Sequence, residues 1–131
     1  YMYGLPGDDH NSIKKTYELS LELCTSGWNT YPAMALPGSA LYKEGIEKGT
    51  EMPKSYSGFS FHAHDTICLP TEKLESWEIL KLRDDAFINY HLNPNFLERI
   101  KKKFGKKAVD NIKEMSKIKL TRKIVEEHMN S

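Results

Sequence analysis

Two histidines and an aspartate, His62, His64 and Asp65, are the side chains whose types and spacing first suggest chemistry. His62 and His64 alternate as neighbours on a strand do, so both imidazoles can face one side of the chain. Imidazole and carboxylate groups are ordinary ligands of zinc. With two imidazoles and one nearby carboxylate, three interpretations stay open: a metal site, contact with a substrate, and packing within an ordered loop.

Arg83 is a further candidate, because it lies on an otherwise apolar face of a helix predicted from Ser76 to Leu92. A buried guanidinium without a partner is costly. Arg83 must therefore meet an anion, which is either an internal carboxylate such as Asp84 or an anionic group of a substrate. His62, His64 and Arg83 are thus the candidate substrate-binding residues.

The first nine residues, YMYGLPGDD, have the order of a buried strand, a tight glycine turn and a helix start. Gly4 and Gly7 tolerate positive φ and let a ligand approach the backbone without a Cβ in the way. Free N–H groups at the helix start would point to the carboxyl end of the strand, where α/β sheets bind ligands. Asp8 and Asp9 are expected to cap that helix rather than to act in catalysis.

The elements that must position these residues follow a βαβα order over the first fifty residues. We expect strands at Tyr1 to Tyr3 and Trp28 to Met34, and helices at Ser12 to Cys24 and Ala40 to Lys48. A second Pro-Gly turn, Leu36 to Ser39, follows the second strand. In a parallel sheet both turns lie at the same edge, so they predict two walls of one ligand site.

The second half of the sequence is predicted to be helical after an irregular segment from Thr50 to Leu69. The helices are expected at Ser76 to Leu92, Asn95 to Phe104 and Lys107 to His128. A strand at Tyr1 to Tyr3 with no chain before it cannot begin a sheet by itself. We therefore expect these residues to be a fragment of a larger protein.

Composition limits the classes of protein. Of the 131 residues, 39% are hydrophobic and 28% are charged, as in globular domains. No apolar run approaches the roughly 18 residues of a membrane span, and no secretory signal is visible, so we expect no membrane span and a cytoplasmic location. Cys24 and Cys68 are too few for a metal quartet or a disulfide framework and are expected to be reduced thiols.

The positive charge is concentrated in residues 95–123. This segment contains eleven basic residues and only three acidic ones, Glu98, Asp110 and Glu114, which gives a local excess of eight positive charges. Lysines in such a segment can track phosphates, so a basic nucleic-acid-binding module is the alternative function. Because no aromatic residues alternate with these lysines as in stacking platforms, a solvated helical face is favoured and nucleic acid is the weaker expectation for a partner.

Five motifs keep a fixed order: YMYGLPGD at 1–8, WNTYPAMALPGSALY at 28–42, LPT at 69–71, RDDAF at 83–87 and FG at 104–105. Together they resemble the carboxyl half of radical S-adenosylmethionine (radical SAM) enzymes. The similarity is closest to the subgroup with a cobalamin-binding domain ahead of the radical domain. The order of GLPGD, YPAMALPGS and RD-x-AF is far more specific than GLPG alone, and the resemblance covers nearly the whole chain.

The resemblance implies an α/β fold, namely the last two βα units of a partial (β/α) TIM-like barrel followed by an α-helical carboxyl-terminal extension. The barrel part would be residues 1–58, the connecting loop 59–75 and the extension 76–131. S-adenosylmethionine would lie across the carboxyl ends of the strands. Carried over residue by residue, one wall of that site would be Gly4, Leu5, Pro6 and Gly7, and the other Tyr31, Pro32, Met34 and Ser39.

The resemblance also implies that the parent protein is an enzyme, an iron–sulfur oxidoreductase or transferase. S-adenosylmethionine on a 4Fe–4S cluster would yield a 5′-deoxyadenosyl radical that abstracts hydrogen from a small-molecule substrate. Flavodoxin or ferredoxin would supply electrons, and cobalamin could carry a methyl group. The CxxxCxxC loop that holds the cluster is absent here, so we expect this chain to be inactive alone. An RNA-modifying member of the superfamily belongs to the alternative.

Overall fold

The computed structural model describes residues 1–131. Its strands are β1 (Met2–Tyr3) and β2 (Tyr31–Pro32). Its α-helices are α1 (His10–Leu23), α2 (Ala40–Glu47), α3 (Ser76–His91), α4 (Pro94–Phe104), α5 (Lys106–Met115) and α6 (Lys123–Met129), with a 3₁₀ helix at Tyr56–Phe59. None of these helices has both the length and the apolar character that crossing a lipid bilayer requires.

The predicted α/β fold, two βα units of a partial barrel, is wrong. The protein is mainly helical, and its only sheet has two strands of two residues each. The strands pair in parallel, with Met2 opposite Tyr31 and Tyr3 opposite Pro32. The N–H groups of Tyr31 and Ala33 donate to the carbonyls of Tyr1 and Tyr3, and the pairing does not extend further along β1 because Gly4 leaves the strand at a φ of 81°.

Helix α3 is the central element of the core. It packs against β2, α4 and α6. Its buried side chains Ile79, Leu80 and Tyr90 form one hydrophobic cluster with Tyr3 of β1 and other residues from α1, α4 and α5. The sheet and the helices that follow it therefore share a single core.

Four of the predicted helices are confirmed to within about two residues at each end. Local capping explains this agreement. Ser39 accepts a hydrogen bond from the N–H of Tyr42 at the start of α2, and Asn93 caps α4 in the same way, with Pro94 at its first position. Helix α1 ends at Leu23, and its C-cap residue Cys24 adopts the left-handed conformation, with a φ of 44°.

The predicted helix from Lys107 to His128 is wrong as a single element. Helices α5 and α6 are separated by residues 116–122. The Ser116 hydroxyl donates to the carbonyl of Ile112 at 2.8 Å, one turn back, and competes with helix continuation. Arg122, the residue before α6, is buried and pairs with Asp84 on α3.

Candidate functional site

The turn after β1 is closed by its own aspartate. The backbone N–H groups of Gly4 and Leu5 both donate to Oδ2 of Asp8, each at 3.0 Å. These are the groups that a ligand anion would need in an anion-binding loop. A carboxylate of the chain therefore already accepts the N–H groups of Gly4 and Leu5.

The start of α1 is satisfied in the same way. Asp9 accepts from the N–H of Ser12 at 2.9 Å, and the Ser12 hydroxyl accepts from the N–H of Asp9, forming a capping box. The hydrogen bond from Ser12, followed by that from Lys73, lowers the pKa of Asp9 below its ordinary value. Asp9 therefore caps α1 as expected, whereas Asp8 closes the turn that precedes the helix.

The two glycines of the turn have different surroundings. Gly4 is buried with a φ of 81°, and a Cβ there would lie 2.9 Å from Cδ1 of Ile79. Gly7 has a φ of 88° and open space around it. Gly4 is thus needed for the approach of α3, whereas only Gly7 leaves the backbone accessible to a ligand.

The predicted cofactor residues divide into exposed and supporting ones. Leu5 is 43% exposed and Tyr31 is 48% exposed. Pro6 and Gly7 are also exposed, while Pro32 is fully buried beneath the sheet. Of the rest, Gly4 is buried, Met34 packs against the core, and Ser39 caps α2.

Phe61 joins the predicted cofactor wall to the predicted substrate residues. Its ring lies 4.8 Å from that of Tyr31, edge to face, and 4.0 Å from the imidazole of His62. The guanidinium carbon of Arg83 lies 5.3 Å from the centre of the same ring. Tyr31, His62 and Arg83, which are far apart in sequence, therefore meet around one aromatic side chain.

Arg83 is held between two aromatic rings, because its guanidinium carbon also lies 5.2 Å from the ring centre of Phe87. Its side chain is only 2% exposed. Nε donates to the carbonyl of Thr30 at 3.1 Å, Nη1 to Asp84 at 3.0 Å and Nη2 to Asn29 at 3.0 Å. The internal ion pair with Asp84, one of the two sequence alternatives, is confirmed.

Arg122 is the buried charge that the sequence analysis did not assign. It donates from Nε and Nη2 to the two oxygens of Asp84 at 2.8 Å and 3.0 Å. Further donations reach the carbonyls of Ala63 and Phe61 and the hydroxyl of Thr66. The sequence did contain a signal for this residue, because Arg122 lies among the apolar positions of the helix predicted from Lys107 to His128.

A cavity of about 480 Å³ opens beside these groups, between α3 and residues 115–120. His62 and Arg83 both line it, as do apolar side chains of α3 and of Ile118. Burial, followed by the charges of Arg83 and Arg122, lowers the pKa of His62 below its ordinary value. His62 is therefore a neutral imidazole near neutral pH, able to donate one hydrogen bond and accept another.

His64 and Asp65 belong to other surroundings. His64 Nε2 lies 3.1 Å from Oε2 of Glu126 on α6, and Asp65 accepts from the hydroxyls of Ser55 and Ser57. The structure contains no group of three or more His, Cys, Asp or Glu side chains placed to hold a metal ion. His62, His64 and Asp65 therefore do not converge on one site.

The two cysteines are buried free thiols. Burial raises the pKa of Cys68 to about 11, so this side chain is a thiol rather than a thiolate at neutral pH. Two cysteines are too few to supply the thiolate ligands of a 4Fe–4S cluster within this chain.

No family model, no curated protein and no solved structure matches this chain. The residues that meet around Phe61 and the sequence motifs are accordingly the basis for assigning a function.

Proposed function

We propose that this chain is the S-adenosylmethionine- and substrate-binding part of a radical SAM iron–sulfur enzyme. The observation that carries the proposal is the position of Phe61, which touches Tyr31 on one side and His62 and Arg83 on the other. A radical enzyme needs its cofactor and its substrate side by side. The residues assigned by resemblance to the cofactor and those assigned by chemistry to the substrate are neighbours here.

In this proposal Leu5 and Tyr31 are the side chains that contact S-adenosylmethionine. Both are exposed at the small parallel sheet, where an aromatic ring and an apolar side chain can pack on the faces of an adenine. Gly4 and Pro32 are buried and support these two side chains. Gly4 leaves room for the side chain of Ile79, and Pro32 packs on the buried face of the sheet. These supporting residues shape the wall without touching the ligand.

The bound cofactor would supply radical hydrogen abstraction, and the residues of this chain would bind the substrate, orient it and exclude water. Because the cysteines here do not suit a 4Fe–4S cluster, the proposal assigns the cluster ligands to polypeptide outside these 131 residues. Cobalamin and a reductant such as flavodoxin or ferredoxin belong to that larger enzyme. A cytoplasmic location, with its reduced thiols, is part of the same proposal.

An NMR titration of the chain with S-adenosylmethionine tests the proposal. We expect saturable shifts of the amide signals of Leu5 and Tyr31. Tyr31→Ser should weaken binding by roughly five- to hundredfold, because stacking of a base on an aromatic ring contributes about 1–3 kcal/mol. Tyr56→Ser is the matched control, since Tyr56 is 88% exposed and away from the site. Shifts that spare both residues, or equal effects of the two variants, would refute the proposal.

Binding of RNA is the second candidate, favoured by one observation on α4 and α5. Lys102 and Lys106 are in ion pairs with Glu98 and Asp110. Between and beside them, Lys101, Lys103 and Lys107 are exposed to solvent. A cluster of exposed lysines can attract phosphates, although it carries no sequence information by itself.

A further inference from the structure

The cavity between α3 and residues 115–120 has two kinds of wall. One wall is apolar and includes Phe87, Ile88 and Ile118. Ile118 is 75% exposed although it is a large aliphatic side chain. The other wall is polar and includes His62 and Arg83. A volume of about 480 Å³ lies in the range of small-molecule sites, which combine apolar surface with a few fixed polar groups.

Positive charge is in excess at the polar wall and directly behind it, where Arg122 contacts Asp84 without itself lining the cavity. Arg83 and Arg122 are both buried and share the single carboxylate of Asp84. Arg122 uses its donors on Asp84, Thr66 and two carbonyls. Arg83 uses three of its five N–H groups. One guanidinium charge is therefore not neutralised, and Arg83 keeps two N–H groups for a further acceptor.

The acidic side chains around the cavity are already engaged. The two oxygens of Asp84 accept three N–H groups from the two arginines. Asp85 is paired with Lys81 at 2.6 Å, and Lys119 also lines the cavity. Neither acid is free to hold a cation, so the balance of charge favours an anion.

We propose that this cavity binds a small organic anion, with its carboxylate or phosphate group at Arg83 and its apolar part against Phe87, Ile88 and Ile118. Neutral His62 would donate or accept one additional hydrogen bond at the rim. That this anion is the substrate of the enzyme rests on the function proposed above. Binding of the anion in the cavity does not require S-adenosylmethionine to be bound.

An NMR titration of the same chain with phenyl phosphate and with phenylacetate, in separate arms, tests this inference and distinguishes the two anions. Benzyl alcohol is the neutral control. We expect saturable shifts at Phe87, Ile118 and Lys119 for at least one anion by roughly 10 mM, and none of that size for benzyl alcohol. If neither anion shifts these signals while S-adenosylmethionine still shifts those of Leu5 and Tyr31, the anion site is wrong and the proposed function stands.

Charge variants at the cavity mouth give a second measurement that leaves the buried arginines in place. Ile118→Glu should weaken anion binding by about fivefold, the effect of one unit charge at close range in water. Ile118→Lys should strengthen it. Ile46→Glu, on exposed α2 outside the cavity, should change nothing. If Ile118→Glu and Ile118→Lys weaken binding equally, the ligand is held by apolar contact only and the anion assignment is wrong.

Discussion

Asp84 and Arg122 form a two-pronged ion pair, with Nε to Oδ2 at 2.8 Å and Nη2 to Oδ1 at 3.0 Å, that joins α3 to the segment before α6. Arg122→Ala leaves Asp84 paired with Arg83 but removes the donors to the carbonyls of Ala63 and Phe61, and a buried polar group left without its hydrogen bond costs about 1–3 kcal/mol. We therefore expect Arg122→Ala to lower the free energy of unfolding by that amount. Urea denaturation followed by circular dichroism measures it.

Arg99→Ala is the matched control, because Arg99 is exposed on α4. Surface substitutions of this kind change stability by about 0.5 kcal/mol or less. Equal losses for Arg99→Ala and Arg122→Ala would mean that the Asp84 pair does not support the fold.

The two glycines of the first turn predict a graded effect. Gly4→Ala and Gly7→Ala both place a Cβ at positive φ, which costs about 1–2 kcal/mol. Gly4→Ala also forces its Cβ against Ile79 at 2.9 Å, and overpacking adds about 1–3 kcal/mol. Thermal melts should therefore rank Gly4→Ala as clearly less stable than Gly7→Ala, and the reverse order would contradict the assigned packing role.

The buried imidazole of His91 predicts a loss of stability in mild acid. Burial is the main cause that lowers the pKa of His91, with Arg83 acting in the same direction and the carbonyl of Phe87 opposing it. The unfolded chain then binds more protons than the folded one as the pH falls through about 6.5, so stability present above that pH is lost below it. The pKa values of Asp9 and Asp65 are lowered, so these carboxylates stay ionised in this window.

Melting temperatures at about pH 7.5 and about pH 5.5 measure this effect. The wild-type protein should lose more stability between them than His91→Gln does. A remaining slope in the variant is expected from His62, whose pKa is lowered in the same direction. An unchanged pH dependence in His91→Gln would show that another group controls it.

The exposed lysines of α4 and α5 predict at most weak and nonspecific binding of RNA. Filter binding at two salt concentrations tests this, because phosphate contacts make affinity fall steeply with salt. We expect a marginal signal that disappears at the higher salt. Tight binding lost in a Lys101→Glu, Lys107→Glu variant would favour the RNA-modifying alternative over a small-molecule substrate.

Helix positions could be predicted from the sequence because capping is a local property. Asp9, Ser39 and Asn93 each accept backbone hydrogen bonds within three residues along the chain. The sheet could not be predicted in the same way, since strand length depends on pairing partners that are distant in sequence. The two-residue strands replaced the longer ones that the apolar runs suggested.

The site was predictable in its residue types and less so in its connections. A buried arginine on an apolar helix face implied an anionic partner, either an internal carboxylate or a group of a substrate, and Asp84 supplies the internal carboxylate. Arg122 shares the carboxylate of Asp84, and this could not be predicted from the sequence. Arg122 reaches Asp84 because residues 116–122 are not helical, whereas the sequence predicted one continuous helix there. That Asp8 accepts the N–H groups of Gly4 and Leu5 could not be predicted from the sequence, because this contact depends on the geometry of the turn.

The most direct test of the account is the affinity of Phe61→Ala for S-adenosylmethionine and for phenyl phosphate, measured by NMR titration. Phe61 touches Tyr31, His62 and Arg83, and one aromatic contact contributes about 0.5–1.5 kcal/mol. We expect both ligands to bind roughly two- to tenfold more weakly to Phe61→Ala, while Phe104→Ala, at an exposed ring on α4, changes neither affinity. Unchanged affinity for either ligand in Phe61→Ala would contradict the account.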